Sequence, residues 1–280
     1  MAREHALGPL YQEHLYLGAS FRERTGSPLA MPEGYAGEGA AFPDGAALSD
    51  LWGQRMRLMH GGPARDFCEA AFAGRKLAVG EARFQACLMG DGRLASVALA
   101  ARTGDSEYLA IDPTPRGELL CAWLDFLQHV NQNGYEPYKG LEAEDVSQRL
   151  VPLLLWGSAA RMVLSDYVQR KEDLPAPGHV RDCALDGIAC LVLHVPDAGG
   201  DCYLVLAPPQ RAVALWRSFL SFEVVSPVGY GRLSTHAKLM FPWLGEVSAP
   251  GRASFTDQEL RGWGLARAEG DFVGARALRA

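Results

Sequence analysis

Apolar positions along the chain recur at two spacings, and the change from one to the other marks the elements. Leu10, His14, Leu17 and Phe21 share one face at helical spacing, which predicts a helix from about Leu10 to Phe21. The Gly/Pro-rich segment from Thr25 to Asp44 is too rich in breakers to be regular. Leu51 to Met59 reads as a strand. Pro63, placed where a first helical turn tolerates it, opens a helix through Phe72. Gln85 to Met89 reads as another strand.

Two later blocks repeat one order of elements. In the first, Leu94–Ala101 is a strand, Arg102–Ser106 a turn and Glu107–Ile111 the returning strand. A helix from about Gly117 to Val130 follows, expected to bury Leu119, Leu120, Trp123, Phe126, Leu127 and Val130. In the second, strands at Ile188–Val195 and Cys202–Leu206 flank a turn at Pro196–Asp201. Pro209 then starts a helix to about Ser221 that turns Val213, Trp216, Phe219 and Leu220 inward. Between the blocks, Pro152–Trp156 is a short buried strand, Ser158 is expected to cap a helix from Ala159 to Gln169, and Gln132–Ser147 reads as a surface connection. Hairpins followed by helices predict an α+β fold of antiparallel sheets with packed helices.

Composition narrows the function. The 280 residues carry a net charge of −6 with both signs interspersed, so no basic stripe points to nucleic acid or an anionic lipid surface. No apolar run reaches the roughly 20 residues of a membrane span, and the polar opening Met1–His5 leads to no signal-peptide core. The six cysteines form no CxxC pair and read as buried free thiols of a reducing, cytoplasmic setting. His60, His129, His179 and His194 show no metal spacing with one another or with cysteine, so no metal is expected. Dinucleotide, P-loop and nucleophile-elbow motifs do not occur.

An ordered series of short motifs supplies the sharper signal. Gly270-Asp271-Phe272-Val273-Gly274-Ala275-Arg276-Ala277-Leu278 resembles the Gly-Asp-Phe-Ile-Gly-Arg-Glu-Ala-Leu signature of the aminomethyltransferase (T-protein) family of the glycine cleavage system. Leu10-Tyr11-Gln12-Glu13-His14, leading to Gly18-Ala19, is similar to the opening of that family. Further similarities follow in order at Gly61–Phe67, Ala82-Arg83-Phe84, Asp91-Gly92, Trp156–Ala160 and Asp201-Cys202-Tyr203. The resemblance implies one folate-binding-like domain over residues 1–280 with two interleaved lobes. It also implies tetrahydrofolate as cofactor, a small-molecule one-carbon donor, and a pocket between the lobes and a C-terminal barrel. The barrel follows the signature in the family, whereas this sequence stops at Ala280. A two-lobed fold without the barrel is therefore expected, its open wall supplied by a barrel-domain or carrier-protein subunit or by a second copy of the chain.

The site is where the sequence departs from the family. Ser96 or Val97 stands where the resemblance implies the catalytic aspartate, and a neutral serine can only hydrogen-bond. Leu204 replaces the carboxylate that reads the pterin, a loss of about 2–4 kcal/mol of charge-assisted contact. The candidate catalytic residues are Asp112, at a strand end, and Ser96. The candidate cofactor-binding residues are Tyr203, Arg232, Arg116 and Ser96. Asp112 could receive a ligand amine or simply start a turn, Arg116 could bind a glutamate tail or sit on the surface, and Tyr203 could stack on a ligand or in the core. His236 and Lys238 share a face only if their segment is a strand, where they would suit an anion.

Three functions compete: a tetrahydrofolate-dependent methyl or aminomethyl transferase acting with a partner subunit, a non-catalytic ligand-binding or assembly subunit, and a repurposed small-molecule enzyme of the same fold.

Overall fold

The computed structural model describes residues 8–21, 31–39 and 42–278. The opening Met1–His5 and residues 25–30, 40 and 41 of the Gly/Pro-rich segment lie outside the described residues. The fold is α+β, and the chain forms two compact units, each built from two stretches: Met1–Gly53 with Ser147–Phe241, and Gln54–Val146 with Pro242–Ala280.

Unit one carries a six-stranded sheet in the order Val180–Leu185, Ile188–His194, Cys202–Ala207, Val151–Trp156, Ala46–Asp50, Val225–Pro227. Its first five strands pair antiparallel, and only Val225–Pro227 joins in parallel. Val151–Trp156 and Cys202–Ala207 are buried at every position, which explains their unbroken apolar sequence. The helix Pro209–Leu220 seals the sheet with Trp216 and Phe219, which pack into a core with Leu48, Leu155 and Val205.

Unit two carries a five-stranded antiparallel sheet in the order Ala82–Leu88, Leu94–Gly104, Glu107–Asp112, Arg55–His60, Glu142–Asp145. Helices Ala64–Ala71 and Gly117–Gln128 cover it through Phe67, Leu120 and Leu124.

Several expectations need correction. The first helix is only Tyr11–Tyr16, because Gly18 takes a left-handed φ of 68° and turns the chain into a strand at Ser20–Phe21. That strand pairs with Pro32–Gly34, so the breaker-rich segment is regular there. Leu51–Met59 is not one strand. Asp50 accepts the Trp52 amide at 2.8 Å and bends the chain, which separates Ala46–Asp50 in unit one from Arg55–His60 in unit two. Ser158 caps no helix: its hydroxyl donates to the Asp44 carbonyl at 2.6 Å, and the helix spans Ala160–Ser165. The Gln132–Ser147 connection contains the edge strand Glu142–Asp145. Leu119 and Phe126 are 41% and 62% exposed, so helix Gly117–Gln128 buries Leu120, Leu124 and Leu127 and leaves those two outside.

The Gly-Asp-Phe-Val-Gly signature has a structural task in unit two. Arg267, buried just before it, donates to the carbonyls of Glu69, Phe72 and Gly74 at 2.6–2.7 Å and pairs with Asp271. Hydrogen bonds from Lys76 and Arg267 hold the Asp271 carboxyl at about 2. Gly274, at φ 85°, sits where a Cβ would run into the Met89 carbonyl. The signature thus docks the 270s on helix Ala64–Ala71 and on the strand ending at Leu88. Arg267→Leu leaves three buried carbonyls without a donor and is expected to cost about 3–5 kcal/mol, read from the urea midpoint.

Candidate functional site

The chemistry-bearing cluster of unit two grows from a strand end. In the pairing of Leu94–Gly104 with Glu107–Asp112, Leu99 faces Ile111, and the same register carried past the strand end sets Ser96 opposite Thr114. Their hydroxyls meet at 2.8 Å. Asp112 closes its strand and accepts the Thr114 amide on Oδ1 at 2.7 Å, the local turn that Asp-Pro sequences favour. Thr114 in turn accepts the Arg116 amide at 3.0 Å, which leads the backbone into helix Gly117–Gln128.

Ser96 is fully buried and Asp112 is 1% exposed. The other Asp112 oxygen, Oδ2, meets no hydrogen-bond partner among the described residues. Burial pushes its carboxyl up to about 6, against the lowering pull of the Ser96 and Thr114 hydroxyls, the Thr114 amide and the Arg116 guanidinium. A buried acceptor with a free oxygen is costly to keep and is suited to an N–H or a proton.

Arg116 is committed elsewhere. Its guanidinium donates to the carbonyls of Val247 (3.0 Å), Leu94 (3.1 Å) and Arg252, and burial lowers its pKa despite Asp112. It ties the 247–252 segment to the sheet within unit two, a task that uses all three guanidinium nitrogens.

Tyr203 and Arg232 belong to unit one. Tyr203 is fully buried; its ring stacks on His194 at 4.2 Å, and its hydroxyl accepts from Arg161 at 3.0 Å. The face read as a ligand platform is therefore covered by a histidine of the same sheet. Burial raises the Tyr203 pKa. Leu204 is also closed in, opposite Leu193 and Leu154.

Arg232, on helix Tyr230–Met240, pairs with Glu38 at 3.3 Å beside a cavity of about 290 Å³ that Tyr35, Ser226 and Val228 also line. Glu38 is itself held by the amides of Tyr35 (2.9 Å) and Gly229 (3.3 Å). The helix splays His236 and Lys238 apart, which overturns a shared anion-binding face. His236 instead stacks on Phe42 at 3.7 Å.

Sequence reasoning missed a buried polar chain in unit one. Tyr35 Oη stands 3.0 Å from His14 Nδ1, and His14 Nε2 stands 2.9 Å from Asp50. With Nε2–H donating to the Asp50 carboxylate, the tautomer that satisfies all three groups has the Tyr35 hydroxyl donating to Nδ1. Burial, helped by the Asp50 and Glu38 charges, pushes the Tyr35 phenol well above its ordinary value. The signal available was His14 itself, a polar residue on the apolar face of a helix.

The fold is that of glycine-cleavage aminomethyltransferases: the crystal structure of glycine cleavage system aminomethyltransferase T from Bartonella henselae matches with a TM-score of 0.76 at 20% identity, over 96% of this chain and 73% of that one. The GCVT N-terminal domain family matches residues 10–236, and the chain belongs to that family. A heterotetrameric sarcosine oxidase from Corynebacterium sp. U-96 is similar at 16% identity and a TM-score of 0.48, over 76% of this chain and 92% of that one. No curated protein matches the sequence. All six cysteines are free and buried, and among the described residues no helix is long and apolar enough to cross a membrane.

Two substitutions test these environments. A carboxyl raised from 3.8 to about 6 leaves the folded state holding a proton that the unfolded chain has released. Stability is thus favoured below pH 4 and falls as pH rises to about 6, by about 3 kcal/mol at roughly 1.4 kcal/mol per pKa unit. Urea melts of wild type against Asp112→Asn at pH 4 and pH 7 should show that loss in the wild type only. In unit one, Leu204→Glu buries a carboxylate without a partner and is expected to cost about 3–5 kcal/mol by the same measurement.

Proposed function

We propose that the protein is a one-carbon-transfer protein of the aminomethyltransferase family that receives an amine-bearing ligand, a reduced folate or its one-carbon donor, at Asp112. The observation that carries this reading is the unpartnered, buried Oδ2 of a carboxyl poised near 6. The other positions bear unequally on a folate. Asp112 Oδ2, unpartnered among the described residues, suits an N–H of a bound amine, whereas Tyr203, its hydroxyl engaged by Arg161, and Leu204, which has no acceptor to offer, do not fit the reading of a pterin edge. A folate would supply the nitrogen that carries the one-carbon unit.

The chain's own residues do the rest. Thr114 fixes one Asp112 oxygen, so the free oxygen is held in one orientation. Ser96 and Thr114 bond each other through their hydroxyls beside the carboxyl. Arg116 anchors the loop, acting through Asp112 as a positioning residue. At neutral pH the carboxyl is largely ionised and accepts an N–H; at about pH 6 half of the molecules hold a proton there. With serine at 96, the arrangement suits methyl-level transfer or ligand binding better than aminomethyl transfer, which needs a charge held against the developing cation; lack of such a group commonly costs ~10²–10³-fold in rate.

Tetrahydrofolate titrated against the purified protein, followed by tryptophan fluorescence, is expected to bind, and Asp112→Asn to weaken binding by about 10–100-fold, the worth of a hydrogen bond to a charged group. Affinity unchanged in Asp112→Asn would remove Asp112 from the site. Supplied with aminomethylated carrier protein and tetrahydrofolate, the chain is expected to release ammonia at far below about 1 per second.

A second reading, an assembly subunit, is favoured by the outer face of helix Gly117–Gln128. Phe126 stacks on Trp123 at 5.2 Å, and it and Leu119 stay in solvent. Self-association in sedimentation that Phe126→Asp abolishes would support it.

A further inference from the structure

The edge of the unit-two sheet holds a cluster that the proposed function does not use. His60 closes the strand Arg55–His60 and lies directly opposite Glu142 on the edge strand Glu142–Asp145. Glu144 lies two residues further along, opposite Leu58, and so on the same face as His60 and Glu142. The imidazole Nε2 stands 3.6 Å from a Glu142 oxygen and 3.4 Å from a Glu144 oxygen, and one ligand atom from each of the three residues lies within 4.8 Å of the others.

These separations have a chemical meaning. Ligand atoms at the corners of a tetrahedron with metal bonds of about 2.1 Å stand about 3.4 Å apart, so the side chains need little movement to share one ion. Two paired strands set the spacing, so the backbone has little left to order on binding. On the other side of His60, Glu107 lies directly opposite, its carboxylate accepting from the Thr103 hydroxyl at 2.7 Å. A row of three strands thus carries Glu107, His60 and Glu142 across one face, with Glu144 beside them. An imidazole with two carboxylates suits a borderline divalent cation of the zinc type; magnesium and calcium favour oxygen-only shells.

We propose that His60, Glu142 and Glu144 form a zinc-type divalent cation site, with a fourth position open to water, that pins the edge strand Glu142–Asp145 to the strand Arg55–His60. The spacing of histidines along the sequence concealed it, because two of the three ligands are glutamates some 80 residues away in sequence that only strand pairing brings near.

The test is calorimetric titration of the chelator-stripped, full-length protein with zinc chloride, with circular dichroism to show that the variants fold. One zinc per chain is expected, with affinity falling about tenfold or more in His60→Ala and in the Glu142→Gln/Glu144→Gln double variant. Magnesium should not compete. Cobalt(II) should give tetrahedral d–d bands without a sulfur-to-cobalt charge-transfer band. Absence of binding below about 100 µM zinc, equal affinity in His60→Ala, or a charge-transfer band marking cysteine ligands would overturn the proposal. The first result would leave His60 as the partner of two glutamates in an ordinary ion pair.

Discussion

Removal of Asp112 from water, with only one of its oxygens satisfied, is the constraint around which the unit-two cluster is arranged. A carboxylate in such a place is expensive, and the structure offsets that cost with the Thr114 amide, two hydroxyls and the nearby guanidinium of Arg116. Those groups must themselves be held. Ser96 and Thr114 bond each other, and Arg116 draws on carbonyls from a sheet strand and from the 247–252 segment. Burial raises the carboxyl's pKa, and the groups that limit the rise come from several elements of one unit.

Arginine serves as an internal clamp twice in unit two. Arg116 and Arg267 each reach three or more backbone carbonyls from more than one nitrogen, a spread that a planar guanidinium with five donors offers and the single nitrogen of a lysine does not. The segment Pro242–Ala280 joins unit two from far along the chain, and these clamps, with the aromatic pair Phe84 and Trp243 at 5.0 Å, hold it there. The motif that carries the clearest family resemblance owes its residues to this docking: a glycine where a Cβ would meet a carbonyl, and an aspartate paired to Lys76 and Arg267.

Unit one places its polar groups differently. Tyr203, Leu204 and their strand neighbours are closed within the sheet, so the positions that could have faced a ligand are packing positions. The polar side chains that do converge are Tyr35, His14 and Asp50 in the core, and Glu38 with Arg232 at the cavity. Along the Tyr35–His14–Asp50 chain each donor meets an acceptor, which makes that polar cluster tolerable in a core.

Much of the fold could be read from the order of residues. Strands buried on both faces, such as Val151–Trp156, and helices opened by proline, such as Pro209–Leu220, declare themselves through local chemistry. So did the ordered motifs from Leu10 to Leu278 that mark the family, and Asp112 as a strand-end carboxylate. Local pattern could not fix which helix face turned inward at Leu119 and Phe126, where an apolar residue of either kind satisfies the periodicity. Nor could it show that Arg116 and Tyr203 spend their polar atoms inside the protein, because their partners, Val247 and Arg161, are distant in sequence. The grouping of Tyr35 with His14 and Asp50, and of His60 with Glu142 and Glu144, was decided by tertiary structure alone. Strand pairing and chain reversal bring together side chains that sequence spacing keeps apart, and burial then fixes which of their hydrogen bonds must be made.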